Sequence, residues 1–209
     1  MVRSIFEAKP ETVKGLAGLS SHRTPLRGRE IAVVAVFTAL AVASDFALTG
    51  VLNVKLVDPI VFSVAFVFGL EMGVYVGVLS ELIWGAASPF GFGGYIIPFL
   101  VGGEVLYALA GWSASKFWSG ATSRLNSRNL YFGFILTVCA FLWDLETQAG
   151  TAILEYWPQL TGQKLLATEA FGLPFMVSHE VSDLLTGAII APIIIFYASR
   201  FAKPRLVRG

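Results

Sequence analysis

The distribution of apolar residues constrains this chain more than any other feature of its sequence. Apolar stretches of roughly the twenty-residue length that crosses a bilayer recur from about residue 30 to about residue 200, separated by polar loops. Apolar residues make up 56% of the 209 residues and charged residues only 14%, whereas soluble domains carry about a quarter charged residues. We therefore predict an all-α membrane protein with several spanning helices.

The boundaries of these stretches predict six spans, with one open alternative. The second stretch is short: its twelve or so residues rise only about 18 Å, against a hydrocarbon core about 30 Å thick. A single helix over 58–86 would remove this difficulty and leave five spans. A long loop over 154–170 is expected before the last span. The six predicted spans are about 30–50, 58–69, 71–87, 95–117, 129–153 and 171–197.

The Lys and Arg residues decide between the two arrangements. With six spans, thirteen of the fifteen fall on one side, and only Lys55 and Lys164 fall on the other. With five spans they divide almost evenly. Because cytoplasmic loops retain Lys and Arg, we predict a six-transmembrane-helix bundle in the cell membrane with both termini cytoplasmic. The predicted organisation is a basic tail over 1–29, a transmembrane domain over 30–200 and a second basic tail over 201–209.

Acidic residues inside the predicted spans are the main functional signal. A charge at the centre of a span costs about 2.5–3.5 kcal/mol on insertion scales, so such residues normally face the bundle interior and serve a function. No Lys or Arg lies in the interior of a span to pair with them, since Lys116 is at the very end of the fourth. Hydrogen bonding, protonation or a bound ligand must offset the cost. The residues are Asp45, Glu81, Glu104, Asp144, Glu146, Glu180 and Asp183, accompanied by His179.

Most of these side chains fall in the outer half of the six-span arrangement, which predicts a polar pocket that opens outward. Spacing by three or four residues places pairs of them on one helical face. Glu146 and Glu180 point away from these faces, and Glu104 is expected to form an interhelical hydrogen bond. The carboxylates favour a cationic or donor-rich ligand, since the pocket is expected to lack cations for an anionic one. The predicted ligand-binding residues are Glu81, Trp84, Asp144, Gln148, His179 and Asp183.

Catalytic signatures are absent from the sequence. His22 and His179 are the only histidines, so a zinc site built on a histidine pair is not expected. Ser178-His179-Glu180 lies within a helix and lacks the turn on which a hydrolase presents its nucleophile. A phosphate-binding Gly-Lys-Ser/Thr loop is also missing. We predict a protein that is not an enzyme, holds no metal or cofactor and does not bind nucleic acid. The net charge of +1 carries no information about nucleic acid, because the positions of the cations are explained by membrane orientation.

Several short motifs, taken in order, resemble one family. The chain resembles the substrate-binding S component of energy-coupling factor (ECF) transporters, which are small six-helix membrane proteins. The resemblance covers about residues 30 to 202. The motifs are the Ala35/Ala39 ridge, Leu56-Val57-Asp58-Pro59, the Gly69/Gly73/Gly77 run, and the stretch 178–183 followed by an apolar helix containing Pro192.

The resemblance implies a division of labour among subunits. An S component captures a vitamin or metal micronutrient outside the cell, and a membrane T component with two ATPase subunits then drives its release. S components of this family dock through the small residues of their first helix, which correspond here to Ala32, Ala35 and Ala39. Family binding residues also come from the outer loops, which adds Asn53 and the loops over 53–58 and 88–94. The implied partners are these subunits, the lipid bilayer and a small-molecule substrate.

Two other functions fit the composition less well. A secondary transporter or channel working alone could use the intramembrane carboxylates as a proton or cation relay. An intramembrane enzyme, for example a lipid-modifying one, is disfavoured because no nucleophile with its base is visible. The importer subunit is therefore the predicted function, and the stand-alone transporter is its alternative.

Overall fold

The computed structural model describes residues 28–91, 93–118 and 126–202. The predicted tails over 1–29 and 201–209 lie almost wholly outside these ranges. Within them the chain is helical and contains no strand, so the predicted all-α class is confirmed. A single 3₁₀ turn over Gly94–Ile96 precedes the fourth helix. The helices are α1 Gly28–Leu48, α2 Val57–Phe68, α3 Leu70–Ala87, α4 Ile97–Phe117, α5 Ser127–Tyr156 and α6 Gly162–Phe201.

Five of these helices are long and apolar enough to cross a bilayer. The exception is α2, which has twelve residues and is apolar throughout except for Asp58 and Ser63. Its residues from Val57 to Phe66 are all buried, because α3, α4 and α6 pack around it. A helix enclosed by protein in this way need not match the bilayer thickness by itself.

Gly69 separates α2 from α3. Its φ of 101° lies in the left-handed region that glycine tolerates, and its N–H donates to Ala65 O at 3.1 Å to end α2. A Cβ added at Gly73 would lie 2.5 Å from Ala65 Cβ, whereas residues eight apart in one helix are separated by about 12 Å. The two helices therefore fold back on each other, and the single helix over 58–86 is not formed.

Close glycine contacts show that consecutive long helices run antiparallel. Gly77 of α3 faces Glu104 of α4, and Gly85 faces Ile97. Gly172 of α6 contacts Gln148 of α5, while the other end of α6 contacts Gly133. The loops over 49–56, 88–96 and 157–161 consequently lie at one end of the bundle, here named the cavity end.

Described cations are distributed unevenly between the two ends. Lys55 and Lys164 lie at the cavity end, and Arg29, Lys116 and Arg200 lie at the opposite end. The remaining basic residues of the two tails and Arg124 are outside the described ranges. In the part of the chain that the structure describes, Lys and Arg are therefore divided between the two ends of the bundle as the predicted topology requires.

The loop predicted over 154–170 is mostly helical, and this prediction was wrong. The α5 helix continues to Tyr156 and α6 begins at Gly162. Thr161 caps α6, because its side-chain oxygen accepts from the Lys164 N–H at 3.3 Å. The polar residues that suggested a loop form instead the first turns of a 40-residue helix, which is about 60 Å long.

Candidate functional site

A cavity of about 630 Å³ opens at the cavity end of the bundle. It lies between the ends of α1 and α3 and the loops over 49–56 and 88–96. This volume is within the range of about 300–1,000 Å³ typical of small-molecule sites. We name it the larger cavity. Its polar lining is Asp45, Thr49, Asn53, Lys55, Glu81 and Ser88, and its aromatic lining is Trp84, Phe90, Tyr95 and Phe175.

Two acidic side chains in the larger cavity are buried and incompletely hydrogen-bonded. Asp45 of α1 is 8% exposed and Glu81 of α3 is 2% exposed. Asp45 Oδ1 and Glu81 Oε2 have no hydrogen-bond partner within the described ranges. A buried polar atom without a partner carries a desolvation cost. These oxygens are therefore available to accept hydrogen bonds from a ligand.

Lys55 lies in the same cavity and brings a positive charge to it. The sequence had predicted a pocket without cations. Its Nζ lies 3.5 Å from the centroid of the Trp143 ring, a cation–π contact. Burial lowers the pKa of Lys55, but the carboxylates of Asp58, Glu81 and Glu104 outweigh this and raise it above its ordinary value. The amine is therefore charged at neutral pH, and the larger cavity presents both signs of charge.

A smaller cavity of about 250 Å³ lies beside the larger one, between α5 and α6. Asp144 and Gln148 line it, and Gly172 allows the Gln148 amide to approach α6, because a Cβ there would collide with that amide. Asn53 and Phe175 line both cavities. The Asn53 Nδ2 donates to Phe175 O at 3.1 Å, so this hydrogen bond forms part of the boundary between the cavities.

Beside the smaller cavity, two hydrogen-bonded groups of buried side chains link four helices, and Asp144 of one group also lines that cavity. His179 Nδ1 lies 3.0 Å from Asp144 Oδ2, and His179 Nε2 lies 3.2 Å from Asp58 Oδ2. The Tyr107 hydroxyl donates to Asp183 Oδ2 at 2.7 Å. All five side chains are buried. We name them the buried network, which connects α2, α4, α5 and α6.

Glu104 adds another carboxyl beside this network. The residue is fully buried, and its carboxyl lies within hydrogen-bonding range of the Asp58 carboxyl, although neither of its oxygens makes a hydrogen bond of regular geometry among the described residues. Its carboxyl interacts electrostatically with those of Asp58 and Glu81. On the α3 side, Gly77 leaves room for it, since a Cβ at that position would lie 2.7 Å from Glu104 Cβ.

The structure divides the predicted ligand-binding residues into three groups. Asn53, Glu81 and Trp84 line the larger cavity. Asp144 and Gln148, again with Asn53, line the smaller one. His179 and Asp183 line neither cavity and belong to the buried network.

Sequence reasoning missed or underused several residues of this region. Lys55 served only to orient the chain, and Asp58 was noted only as part of a motif. Tyr107 gave no signal, because an isolated tyrosine within an apolar span resembles ordinary core. Glu146 is exposed and Glu180 half-buried, in agreement with their predicted orientation away from the pocket.

The predicted docking residues lie on the surface of α1. Ala32, Ala35 and Ala39 are all exposed. Exposed large apolar side chains flank them, among them Ile31, Val36 and Leu40. The resulting face is apolar with a low ridge of small residues, which permits close approach of another helix within lipid.

Comparisons with known proteins were made at three levels. No protein-family model, curated protein or solved structure matches this chain.

Proposed function

We propose that this protein is the substrate-capturing subunit of an ATP-driven importer of the ECF type, with the cavity end facing outward. In this proposal all six helices form the transmembrane bundle, and both termini are cytoplasmic in the cell membrane. Five helices of spanning length and the segregation of Lys and Arg to the opposite end support that orientation. The protein is a binding subunit and not an enzyme.

The observation that carries the proposal is the larger cavity. It is of small-molecule size, it opens at the end of the bundle that would face outside, and buried carboxyl groups line it. The loops over 49–56 and 88–96 that border it are those from which S components take ligand contacts. A subunit that captures a nutrient requires a site of this kind.

The lining indicates the class of substrate. Asp45 and Glu81 offer free acceptor oxygens for cationic or hydrogen-bond-donating groups, and Trp84 offers an aromatic face for a flat or cationic group. Lys55 would pair with an acidic group on the same molecule. We therefore propose a vitamin-like or metal micronutrient that is cationic or rich in donors rather than purely anionic.

A direct binding experiment tests this assignment. Native mass spectrometry of the protein purified in mild detergent would identify the co-purifying small molecule, and isothermal titration would then give its affinity. Asp45→Asn and Glu81→Gln should each weaken binding by about tenfold or more, because each removes a charged hydrogen-bond partner. The exposed Glu146→Gln is the control for carboxylate loss and should bind normally. Equal affinity in all three variants would overturn the assignment.

The implied partners are a T component and two ATPase subunits. We propose that the T component docks on the α1 face containing Ala32, Ala35 and Ala39. Ala35→Leu should abolish co-purification with the T component while leaving substrate binding intact, because the added side chain blocks close helix approach. Val36→Leu, on the same exposed face but already bulky, is the matched control. Unchanged co-purification of Ala35→Leu would place the docking surface elsewhere.

A stand-alone secondary transporter is the second candidate, and the buried network favours it. Its ionisable side chains continue from the cavities into the middle of the bundle, as a proton relay would require. Reconstitution in proteoliposomes separates the two functions. Substrate uptake by this chain alone, driven by a proton or sodium gradient, would establish the secondary transporter. Binding without uptake until ATPase and T subunits are added would establish the importer subunit.

A further inference from the structure

Three buried side chains of the network are grouped in a way that ordinary helix packing does not require. One ligand atom each from Asp58, His179 and Asp183 lies within 4.8 Å of the others. They come from α2 and α6, and all three residues are essentially inaccessible to solvent, at 1%, 0% and 0% exposure. Burying carboxylates together is costly unless a cation or a complete set of hydrogen bonds offsets their charge.

The hydrogen bonds around this group are incomplete. Asp58 and Asp183 each use one oxygen, toward His179 and Tyr107 respectively. The second oxygen of each, Asp58 Oδ1 and Asp183 Oδ1, has no partner among the described residues. Glu104 approaches Asp58 from α4, and its carboxyl lies within hydrogen-bonding range of the Asp58 carboxyl. Two carboxyls of this buried group, one from α2 and one from α6, therefore each retain an acceptor oxygen without a partner among the described residues.

The histidine is held in the orientation of a metal ligand. Its Nδ1 lies 3.0 Å from Asp144 Oδ2, which leaves Nε2 directed toward Asp58. Metal-binding histidines are normally fixed in this way by a carboxylate on the other ring nitrogen. The Tyr107 hydroxyl fixes Asp183 similarly. Both outer partners are buried, so the inner side chains have defined orientations.

The spacing also suits an ion. Two ligand atoms about 2.1 Å from one ion, at tetrahedral angles, are about 3.4 Å apart. The separation of 3.2 Å between His179 Nε2 and Asp58 Oδ2 is close to that value. The maximum separation of 4.8 Å within the group requires only a small side-chain adjustment by Asp183.

We propose that Asp58, His179 and Asp183, together with Glu104, form a binding site for a divalent transition-metal ion. One imidazole nitrogen among carboxylates is a donor set suited to Mn²⁺, Fe²⁺, Co²⁺ or Zn²⁺, whereas Mg²⁺ and Ca²⁺ prefer oxygen alone. This departs from the sequence prediction that the chain holds no metal, which considered only a pair of histidines. The importer proposal places its substrate in the larger cavity, which none of Asp58, His179 and Asp183 lines, so an ion bound here is a separate ligand and the two proposals can fail separately.

Co²⁺ is the probe for the test, because its visible absorption reports ligand type and geometry. The full chain, purified in detergent through a tag without histidine and treated with a chelator, would be titrated with CoCl₂ by absorption and calorimetry. We expect one Co²⁺ per chain, displaced by Zn²⁺. Asp183→Asn and Glu104→Gln should weaken binding by about tenfold or more, and the exposed Glu146→Gln should not.

Two of the variants are included so that every result of the Co²⁺ titration either supports or overturns the proposal. Glu104→Gln keeps the size of the side chain and its amide can still donate to the Asp58 carboxyl, so it should fold even if Asp183→Asn does not. Asp45→Asn separates this site from the larger cavity. The proposal is overturned if Co²⁺ does not bind at millimolar concentration, if all variants bind it equally, or if only Asp45→Asn abolishes binding.

Discussion

The larger cavity and the buried network contain the same kinds of side chain in opposite situations. Asp45 and Glu81 in the cavity each retain an oxygen without a hydrogen-bond partner, and they lie beside an opening of the bundle. Asp58 and Asp144 in the network are bound on either side of His179. The comparison teaches that the surroundings of an intramembrane carboxylate distinguish its roles. A carboxylate beside an opening is accessible to a ligand, whereas Asp58, although its Oδ1 also has no partner among the described residues, helps to join the helices that enclose it.

Replacement of His179 by Leu should have the largest effect on stability among the substitutions in these two regions. The substitution leaves Asp58 and Asp144 buried without their common partner. Removing one member of a buried pair typically costs about 3–5 kcal/mol. We expect a large fall in melting temperature in detergent, or failure to obtain folded protein. The control Glu180→Gln, at a half-buried position on the same helix, should differ little from the unaltered chain in melting temperature. A His179→Leu protein that melts normally would show that the network does not hold the bundle together.

Tyr107→Phe is a milder change within the network. It removes one hydroxyl and leaves Asp183 without its donor. A hydrogen bond to a charged group is worth about 1.5–3 kcal/mol, so the melting temperature should fall clearly while substrate affinity at the larger cavity stays the same. Tyr197→Phe, on an exposed tyrosine of α6, is the matched control and should be neutral. An equal effect of the two substitutions would contradict the role assigned to Tyr107.

Glu81→Gln, a substitution in the larger cavity, should have the smallest effect on stability. The substitution removes a buried carboxylate whose Oε2 has no hydrogen-bond partner among the described residues, and Lys55 keeps the carboxyls of Asp58, Glu104 and Asp45 nearby to offset its charge. We expect a melting temperature within a few degrees of the unaltered chain, or above it, measured on ligand-free protein. A marked fall would mean that Glu81 is structural, and that the contrast between the two regions is false.

Much of the fold follows from sequence because it depends on local patterns. Apolar length and the distribution of Lys and Arg predicted the helices, and the positive φ of Gly69 explains why the stretch from Asp58 onward divides in two. The loop over 154–170 was mispredicted because polar residues in a helix that extends beyond the apolar layer look like a loop. Thr161 and its cap were the available signal.

The site was predictable only in part, because its contacts join residues far apart in the chain. Helical spacing correctly placed Asp144 and Gln148 on one face, and both line the smaller cavity. It could not show that His179 lies between Asp144 and Asp58, since that depends on how α2, α5 and α6 pack. It also could not show that Lys55 bends back over Trp143.

The brevity of α2 has a consequence for how the chain enters the membrane during synthesis. Twelve residues are too few to be retained as an independent transmembrane segment. We therefore expect α2 and α3 to enter the bilayer as a pair, and α2 to become enclosed by protein once α4 and α6 pack against it. Biogenesis of the bundle thus depends on its last helix, and α2 can reach its final surroundings only when translation is nearly complete.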